Sequence, residues 1–187
     1  MNLTTPQQAH TVAEFIPALA DAYGERRAVV LGADELTYVA LGARSAHLAR
    51  GLLARGVGKG ARVGLWMGNS PRWAVAWAAI SRIGAVCVPI STFSAPGELA
   101  RIVRHADLHA LLVQHEFLDT SLPDRLELAL PALVGASSPD LYLADAPFLR
   151  WIAVVGSERA PTWARDDGWL ASGSELVPDE LLSLIHI

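Results

Sequence analysis

The chain has 187 residues, of which 52% are hydrophobic and 18% are charged, and this composition excludes an intrinsically disordered protein. A chain of this length can remove roughly 70% of its unfolded surface from water, so a hydrophobic core is expected. The formal net charge is -4, with 15 basic and 19 acidic residues. With no run of like charge, this balance argues against a nucleic acid or an anionic membrane as partner.

The mean hydropathy of +0.31 raises the question of a membrane span. The most apolar stretch, Trp73–Ile90, is interrupted by Arg82 and Gly84, so it lacks the run of about 18 apolar residues that a span needs. The first ten residues have neither the basic nor the apolar region of a signal peptide. We therefore expect a cytoplasmic protein with no transmembrane segment.

The first predicted elements are a helix and a hairpin. Thr11 and Glu14 have the spacing of a capping box and Gly24 provides a stop, so a helix is predicted to run to about Tyr23. Pro17 falls inside this pattern and is expected to kink or split the helix. Two short strands are predicted on either side of a Gly-Ala-Asp turn, at Ala28–Leu31 and Glu35–Tyr38.

From here the chain alternates between helical and strand patterns. Leucines and alanines at helical spacing predict a long helix over Thr37–Arg55. Compact apolar runs predict buried strands, and prolines after polar residues predict helix starts. The strands are Ala61–Met67, Ala85–Ile90 and Ala110–Gln114, and the helices run from Pro71 to Gly84, with Asn69 or Ser70 as cap, and from Pro96 to about His105, with Ser94 as cap.

Beyond Gln114 the pattern is weaker because prolines punctuate the chain. A short helix is predicted near Asp124–Leu130 and a further strand at Leu149–Val155, whereas Gly156–Gly173 shows no regular element. Strands that alternate with helices through short turns predict an α/β fold, with a mostly parallel sheet and helices on both faces. The early hairpin is an antiparallel addition.

The glycine cluster at Gly56, Gly58 and Gly60, with the chain's single lysine, Lys59, suggests a phosphate loop. Such a loop follows a strand and opens a helix, so that free N–H groups face the anion. Here the cluster closes a helix and opens a strand, and no serine or threonine follows the lysine. We therefore interpret it as a helix stop and tight turn.

The other candidate groups also favour structural roles. Cys87 lies in an apolar strand pattern and is interpreted as a small core residue, and Trp73 and Trp77 are assigned to the core. Three histidines, His105, His109 and His115, fall on a helix, a turn and a strand end, and are expected to point in different directions. The adjacent carboxylates of Asp166 and Asp167 are expected to be solvated.

Four ordered segments carry a resemblance to a known family. They are Leu36-Thr37-Tyr38, the LARGVGKGARV stretch that begins at Leu53, Met67-Gly68-Asn69-Ser70-Pro71, and the IGAVCVPI stretch that begins at Ile83. Over about Thr11–Gln114 the chain resembles the N-terminal part of the AMP-forming acyl-CoA synthetases, in the adenylate-forming superfamily. Ala40 stands where that family usually has a glutamate, so a capping-box partner for Thr37 is lost.

The resemblance implies an incomplete N-terminal subdomain of the adenylate-forming fold. It implies a full-length parent that uses ATP, Mg2+ and coenzyme A to convert a fatty or aromatic carboxylic acid to an acyl adenylate and then to an acyl-CoA. The family's phosphate loop, adenine segment, ribose-binding aspartate and catalytic lysine come later than the matched segments. No catalytic, cofactor-binding or metal residue is therefore assigned in this chain, which is expected to be inactive alone.

The last residues carry a separate prediction. The LSLIHI ending, from Leu182, can be back-translated to a sequence that resembles a transposon end used as a DNA-library adapter. We therefore expect residues 1–182 to be the N-terminal portion of an AMP-binding domain and residues 183–187 to be a non-native tail. A natural hydrophobic C-terminal strand is the alternative.

Two alternatives to the synthetase fragment are open from the sequence. One is a self-contained α/β binding or oligomerisation module without catalysis. The other, a flavodoxin-like or dinucleotide-binding protein, is weakened because no strand-to-helix turn carries a glycine-rich phosphate cradle. If the chain is a fragment, its apolar strands lack part of their cover, and it is expected to self-associate.

Overall fold

The computed structural model describes residues 9–157 and 159–184. Within these residues the chain forms two compact units. The first combines the chain up to Lys59 with Asn69–Ala85 and the segment from Ala171 onward. The second combines Gly60–Gly68 with Val86–Leu170. Of the predicted non-native tail, residues 185–187 lie outside the described part, and the origin of the tail stays a prediction.

The first helix, α1 (Val12–Tyr23), has the predicted ends. The Thr11 hydroxyl accepts the Glu14 N–H, and the Glu14 carboxylate accepts the Thr11 N–H, which completes the capping box. Gly24 follows the helix with a φ of 53°. Pro17 lies inside α1 and does not split it, since one helix runs from Val12 to Tyr23.

The hairpin and the long helix also follow the prediction. Strands β1 (Arg27–Leu31) and β2 (Asp34–Thr37) pair antiparallel. Helix α2 (Tyr38–Ala54) starts directly after β2, where the Thr37 side chain accepts the Ala40 N–H. A cluster of buried residues, Ile16, Leu36, Leu41 and Ala78, joins these elements to the next helix.

That helix, α3 (Pro71–Arg82), is capped by Ser70, whose hydroxyl accepts the Trp73 N–H at 3.1 Å. The assignment of Trp77 to the core is wrong, because this residue is 36% exposed, and Trp73 is only half-buried. The buried residues are Ala76, Ala78, Ala79 and Ile80. In a helix that is apolar nearly all round, spacing cannot tell which stripe packs, and small alanines allow the closer approach.

The last described elements lie against α2. After helix α6 (Asp167–Gly173) come a 3-10 turn at Ser174–Leu176 and helix α7 (Asp179–Leu184). Arg50 donates to the Ser174 carbonyl at 3.3 Å and pairs with Asp179. A Cβ on Gly173 would lie 3.2 Å from the Gly51 carbonyl oxygen, so a glycine is needed for this close approach. Helix α6 falls in the stretch where no element was predicted.

The second unit is built on a four-stranded parallel sheet. Its strands are β3 (Arg62–Trp66), β4 (Val86–Pro89), β5 (Ala110–Gln114) and β8 (Trp151–Val155), in the order β4-β3-β5-β8. The register pairs Gly64 with Val88 on one side and with Leu111 on the other. This arrangement confirms the predicted α/β class with a parallel sheet flanked by helices.

The connections of this unit include α4 (Pro96–His105), α5 (Leu122–Ala129), a 3-10 turn at Pro131–Leu133, and a small hairpin of β6 (Glu116–Phe117) and β7 (Thr120–Ser121). The prediction that Ser94 caps α4 is wrong. Ala95 is the cap residue and supplies no side-chain hydrogen bond. The helix nevertheless starts at Pro96 as predicted, because proline at the first helical position has a fixed φ that suits a helix start.

The sheet is buried on both faces at its centre. On one face Trp66, Leu111, Val113, Ile152 and Val154 join the main hydrophobic core. On the other face Val63, Leu65, Leu112 and Ala153 are also buried. Such burial explains the unbroken apolar runs in these strands, which do not alternate with polar residues.

Strand β4 differs from the prediction of a buried strand, because it lies at the edge of the sheet. Val86 is 48% exposed, and Cys87 is half-buried rather than a core residue. The sequence pattern alone does not distinguish this strand from β3, since both are short apolar runs after glycines. Strand order decides the difference. In the described part of the chain, no helix is both long enough and apolar enough to cross a membrane.

Arg82 supports the packing of α3 on α2, and its removal should destabilise the protein. Its guanidinium donates to the Gly42 carbonyl at 2.9 Å and to the Ser45 hydroxyl at 3.1 Å, and Ser45 is fully buried. Burial, with a smaller contribution from the charge of Arg50, lowers the pKa of Arg82. We expect Arg82→Met to reduce the free energy of unfolding by about 1–3 kcal/mol, measured by urea unfolding.

The matched control is Arg72→Met, on the exposed side of the same helix. It should change stability by no more than about 0.5 kcal/mol. Equal effects of the two substitutions would show that the Arg82 hydrogen bonds contribute nothing specific.

Gly64 lies where β3 meets the core, and a larger residue should be costly. A Cβ there would lie 2.6 Å from Leu111 Cδ1 and 2.7 Å from Leu108 Cδ1, and both leucines are fully buried. We expect Gly64→Ala to destabilise by about 1–3 kcal/mol, because the leucines must leave packed positions. Gly58→Ala, where nothing lies within 4 Å, is the control. A thermal midpoint that is unchanged by Gly64→Ala would contradict this account.

Candidate functional site

The carboxyl edge of the parallel sheet is the candidate site, since ligands of open α/β sheets bind beyond the carboxyl ends of the strands. In the second unit this edge consists of the turns that follow β3, β4 and β5. The Gly68 N–H, just after β3, donates to Gln114 Oε1 at 2.9 Å, and Gln114 Nε2 donates to the Glu116 carbonyl at 2.6 Å. The turns after β3 and β5 are therefore joined by one amide side chain.

The turn after β4 is held by two large side chains. Trp66 Nε1 donates to the Ser91 carbonyl at 3.0 Å. Arg125, from α5, donates to the carbonyls of Thr92 and Ser94 at 2.7 and 2.5 Å, and its guanidinium lies 5.8 Å from the Trp66 ring. Arg125 thus uses its fixed donor fork to set the path of this turn.

Two aromatic rings meet beside these turns. Phe93 is 75% exposed and packs edge-to-face on Phe117, with ring centroids 5.9 Å apart. A Cβ on Gly68 would lie 2.4 Å from the Phe117 ring, so only a glycine allows the ring to lie on the backbone here. This edge therefore offers an exposed aromatic surface on a rigid backbone.

The three histidines do not meet at this edge. His105 ends α4, whereas His109 and His115 flank β5 at opposite ends, about 20 Å apart along the strand. Burial, and to a smaller extent the charge of Arg150, lowers the pKa of His109. His115 lies at the carboxyl edge, and its Nδ1 is buried with no hydrogen-bond partner among the described residues. The described structure therefore gives this buried ring nitrogen no hydrogen-bonding role.

The predicted turn at the glycine cluster is confirmed. Gly56 and Gly60 have φ values of 81° and 80°, and the cluster joins the end of α2 to β3. Lys59 is exposed, and its Cγ would lie 3.3 Å from a Cβ on Gly84. The free N–H groups of a helix start are therefore not available to an anion at this turn.

Cys87 and the two adjacent aspartates have structural explanations. Burial raises the pKa of the Cys87 thiol to about 11, which keeps it protonated at neutral pH and poorly nucleophilic. The expectation that Asp166 and Asp167 are merely solvated is wrong. Asp166 accepts the Trp169 N–H at the start of α6, and Asp167 accepts the Gly156 N–H, both at 2.9 Å.

The side chains at this edge hold the turns and an exposed aromatic ring in place, and few of them are chemically reactive. Among the described residues, no group of three or more histidine, cysteine, aspartate or glutamate side chains is placed to hold a metal ion. The hydrogen bonds of Gln114 and Arg125 were missed by the sequence analysis. No local pattern indicates the bonds to Gly68, Thr92 and Ser94, because these partners lie 31 to 46 residues away in the chain.

Comparisons with known proteins identify the family. Residues 17–174 match the model of the AMP-binding enzyme family. A Bacillus subtilis protein, YngI, which carries the name of an acyl-CoA synthetase, is 31% identical over 151 residues. These cover 80% of this chain and 28% of YngI. A hydroxybenzoate–CoA ligase of Thauera aromatica is 34% identical over 60% of this chain and 22% of its own length.

Solved structures show the same fold. The crystal structure of the anthranilate CoA ligase AuaEII superimposes with a TM-score of 0.69 at 20% identity, over 96% of this chain and 30% of that one. A long-chain-fatty-acid–CoA ligase of Archaeoglobus fulgidus gives 0.66 at 21%, over 90% and 30%. The chain thus spans less than a third of these relatives. Since the family model matches most of its length, the chain belongs to the AMP-binding enzyme family, which confirms the resemblance to AMP-forming acyl-CoA synthetases.

Proposed function

We propose that this chain is the N-terminal portion of an ATP-dependent acid–CoA ligase. The observation that carries the proposal is the family match over residues 17–174, together with relatives named as CoA ligases. In the parent, a carboxylate would attack ATP to give an acyl adenylate and pyrophosphate, and coenzyme A would then take the acyl group. The self-contained binding module is not favoured, since those relatives are named as enzymes.

The acid is proposed by class only. The Thauera relative is named for hydroxybenzoates, and a Mycobacterium marinum relative, 31% identical over 62% of this chain, is named for medium- and long-chain fatty acids. A fatty or aromatic carboxylic acid is therefore the proposed substrate of the parent. A cytoplasmic location remains a prediction from the sequence.

The described residues do not fit ATP, Mg2+ and coenzyme A by themselves. The glycine-rich turn at Gly56–Gly60 opens a strand rather than a helix, and the chain's single lysine lies in that turn. Among the turns at the carboxyl edge, the described polar groups are largely committed to each other. We therefore derive no catalytic step from this chain and propose that its role in the parent is structural.

A chimera tests the proposed function. Residues 17–174 of this chain would replace the matching segment of YngI, and carboxylate-dependent pyrophosphate release would be measured with fatty and aromatic acids. YngI itself is the positive control, and YngI without the segment is the negative control. We expect the chimera to adenylate at least one acid. A folded chimera that adenylates none of the acids used by YngI would contradict the proposal.

The isolated chain should make no acyl adenylate. At the carboxyl edge of the sheet, the described residues include no group placed to hold a triphosphate or to stabilise the charge that develops at the α-phosphate. The measurement is pyrophosphate exchange with the same panel of acids. Exchange clearly above an enzyme-free blank would show that the chain contains an active site of its own.

The isolated chain should also self-associate, because it exposes apolar side chains. In its longer relatives, further segments are available to cover such side chains. Val86 lies on the sheet edge, and Phe93 is 75% exposed. Light scattering and binding of a hydrophobic dye should detect association, and Val86→Lys with Phe93→Ser should reduce it. Ser137→Lys, at an exposed polar position, adds the same charge and should not. A monodisperse chain that ignores the dye would instead support the binding-module alternative.

A further inference from the structure

A groove of about 450 Å³ lies in the second unit between helix α4, the end of α5 and Asp145. Its apolar lining is Ala100, Ala129 and Leu130, of which the last two are buried. Its polar lining, besides Asp145, is Arg101, Arg104 and His105. The volume is within the range of small-molecule pockets. The groove is separate from the turns at the carboxyl edge of the sheet.

The arginines share one side of α4. Positions three and four apart are neighbours on a helix, so Arg101 lies beside both Arg104 and His105, while Leu99 and Val103 are buried. Like charges at this spacing repel each other. Within the described residues, no carboxylate lies at ion-pair distance from either guanidinium. Some other arginines have carboxylate partners, as in Arg27–Glu35, Arg62–Asp107 and Arg165–Asp140. Arg101 and Arg104 differ from other exposed arginines because they line one groove together.

Capping of the helix does not use these side chains. The carbonyls of Ile102, Val103 and Arg104 already accept the backbone N–H groups of Ala106, Leu108 and Asp107, at 2.9, 3.3 and 3.2 Å. Arg104 still complements the helix dipole by its charge. Its hydrogen-bond donors and those of Arg101 nevertheless remain open to a ligand in the groove.

We propose that this groove binds a small phosphate-bearing metabolite, whose phosphate is held by Arg101 and Arg104 and whose uncharged part lies on Ala100, Ala129 and Leu130. Two guanidinium forks match the oxygens of a phosphate dianion. Asp145 subtracts one charge, so it weakens binding of a bare anion. The proposal is independent of the ligase chemistry, because it rests on α4 and α5 alone. A net charge of -4 argues against an anionic membrane as the source of the phosphate.

The test uses inorganic pyrophosphate as probe, titrated into the 187-residue chain at low ionic strength by calorimetry. We expect saturable binding that Arg101→Ala with Arg104→Ala weakens by about tenfold or more. Asp145→Asn should tighten it by about threefold. The control is Arg44→Ala with Arg72→Ala, which removes two exposed arginines that have no ion-pair partner among the described residues. This control should bind the probe as the unaltered chain does.

Three results would overturn the proposal. One is the absence of saturable binding, and another is an equal loss in the control, which would indicate general electrostatics. The third concerns a lipid source of the phosphate. Co-sedimentation with phosphatidylcholine vesicles containing phosphatidic acid, abolished by the Arg101 and Arg104 substitutions and not competed by pyrophosphate, would assign the groove to a membrane surface. Failure of the YngI chimera would leave the groove result unaffected, so the two proposals are tested separately.

Discussion

The two central strands of the parallel sheet, β3 and β5, are buried on both faces, and the second unit depends on this burial. A parallel sheet is stable only when both faces are covered. Val63 and Leu65 are buried on one face, and Trp66 on the other. Between them Gly64 lets the side chains of Leu108 and Leu111 reach the backbone of β3. The side chains of these two strands therefore cannot be replaced by much larger ones, and the loops that follow the strands start from a closely packed backbone.

A few polar side chains hold the turns at the carboxyl edge of this sheet in place. Arg125 and Gln114 use their donors on main-chain carbonyls, and Gln114 also accepts the Gly68 N–H. Side chains that are committed to the backbone in this way shape a site but do not react in it. This geometry supports the proposal that the chain supplies scaffold to an adenylate-forming enzyme.

The groove beside α4 has the opposite character. Its arginines have no ion-pair partner among the described residues, whereas Arg27, Arg62 and Arg165 each pair with a carboxylate. Arg101 and Arg104 repel each other at their spacing on the helix, and a bound anion would offset that repulsion. The phosphate site proposed for this groove is therefore separate from the ligase chemistry proposed for the parent.

The sequence by itself determined the order and type of most elements, because their causes are local. A capping box at Thr11, a proline after Ser70 and glycines at positions 56 and 60 act within one turn of the backbone. The family also followed from the sequence, since four short segments in order carry it.

Only the tertiary structure decided which apolar segments are buried. Strand β4 was expected to be a buried strand and is an edge, and Trp77 was expected in the core and is exposed. Burial depends on which distant parts of the chain pack against a segment, and the apolar residues of a segment do not identify those packing partners. The same reason explains why the bonds of Gln114 to Gly68 and of Arg125 to the turn after β4 were not predicted, since these partners lie 31 to 46 residues away in the chain.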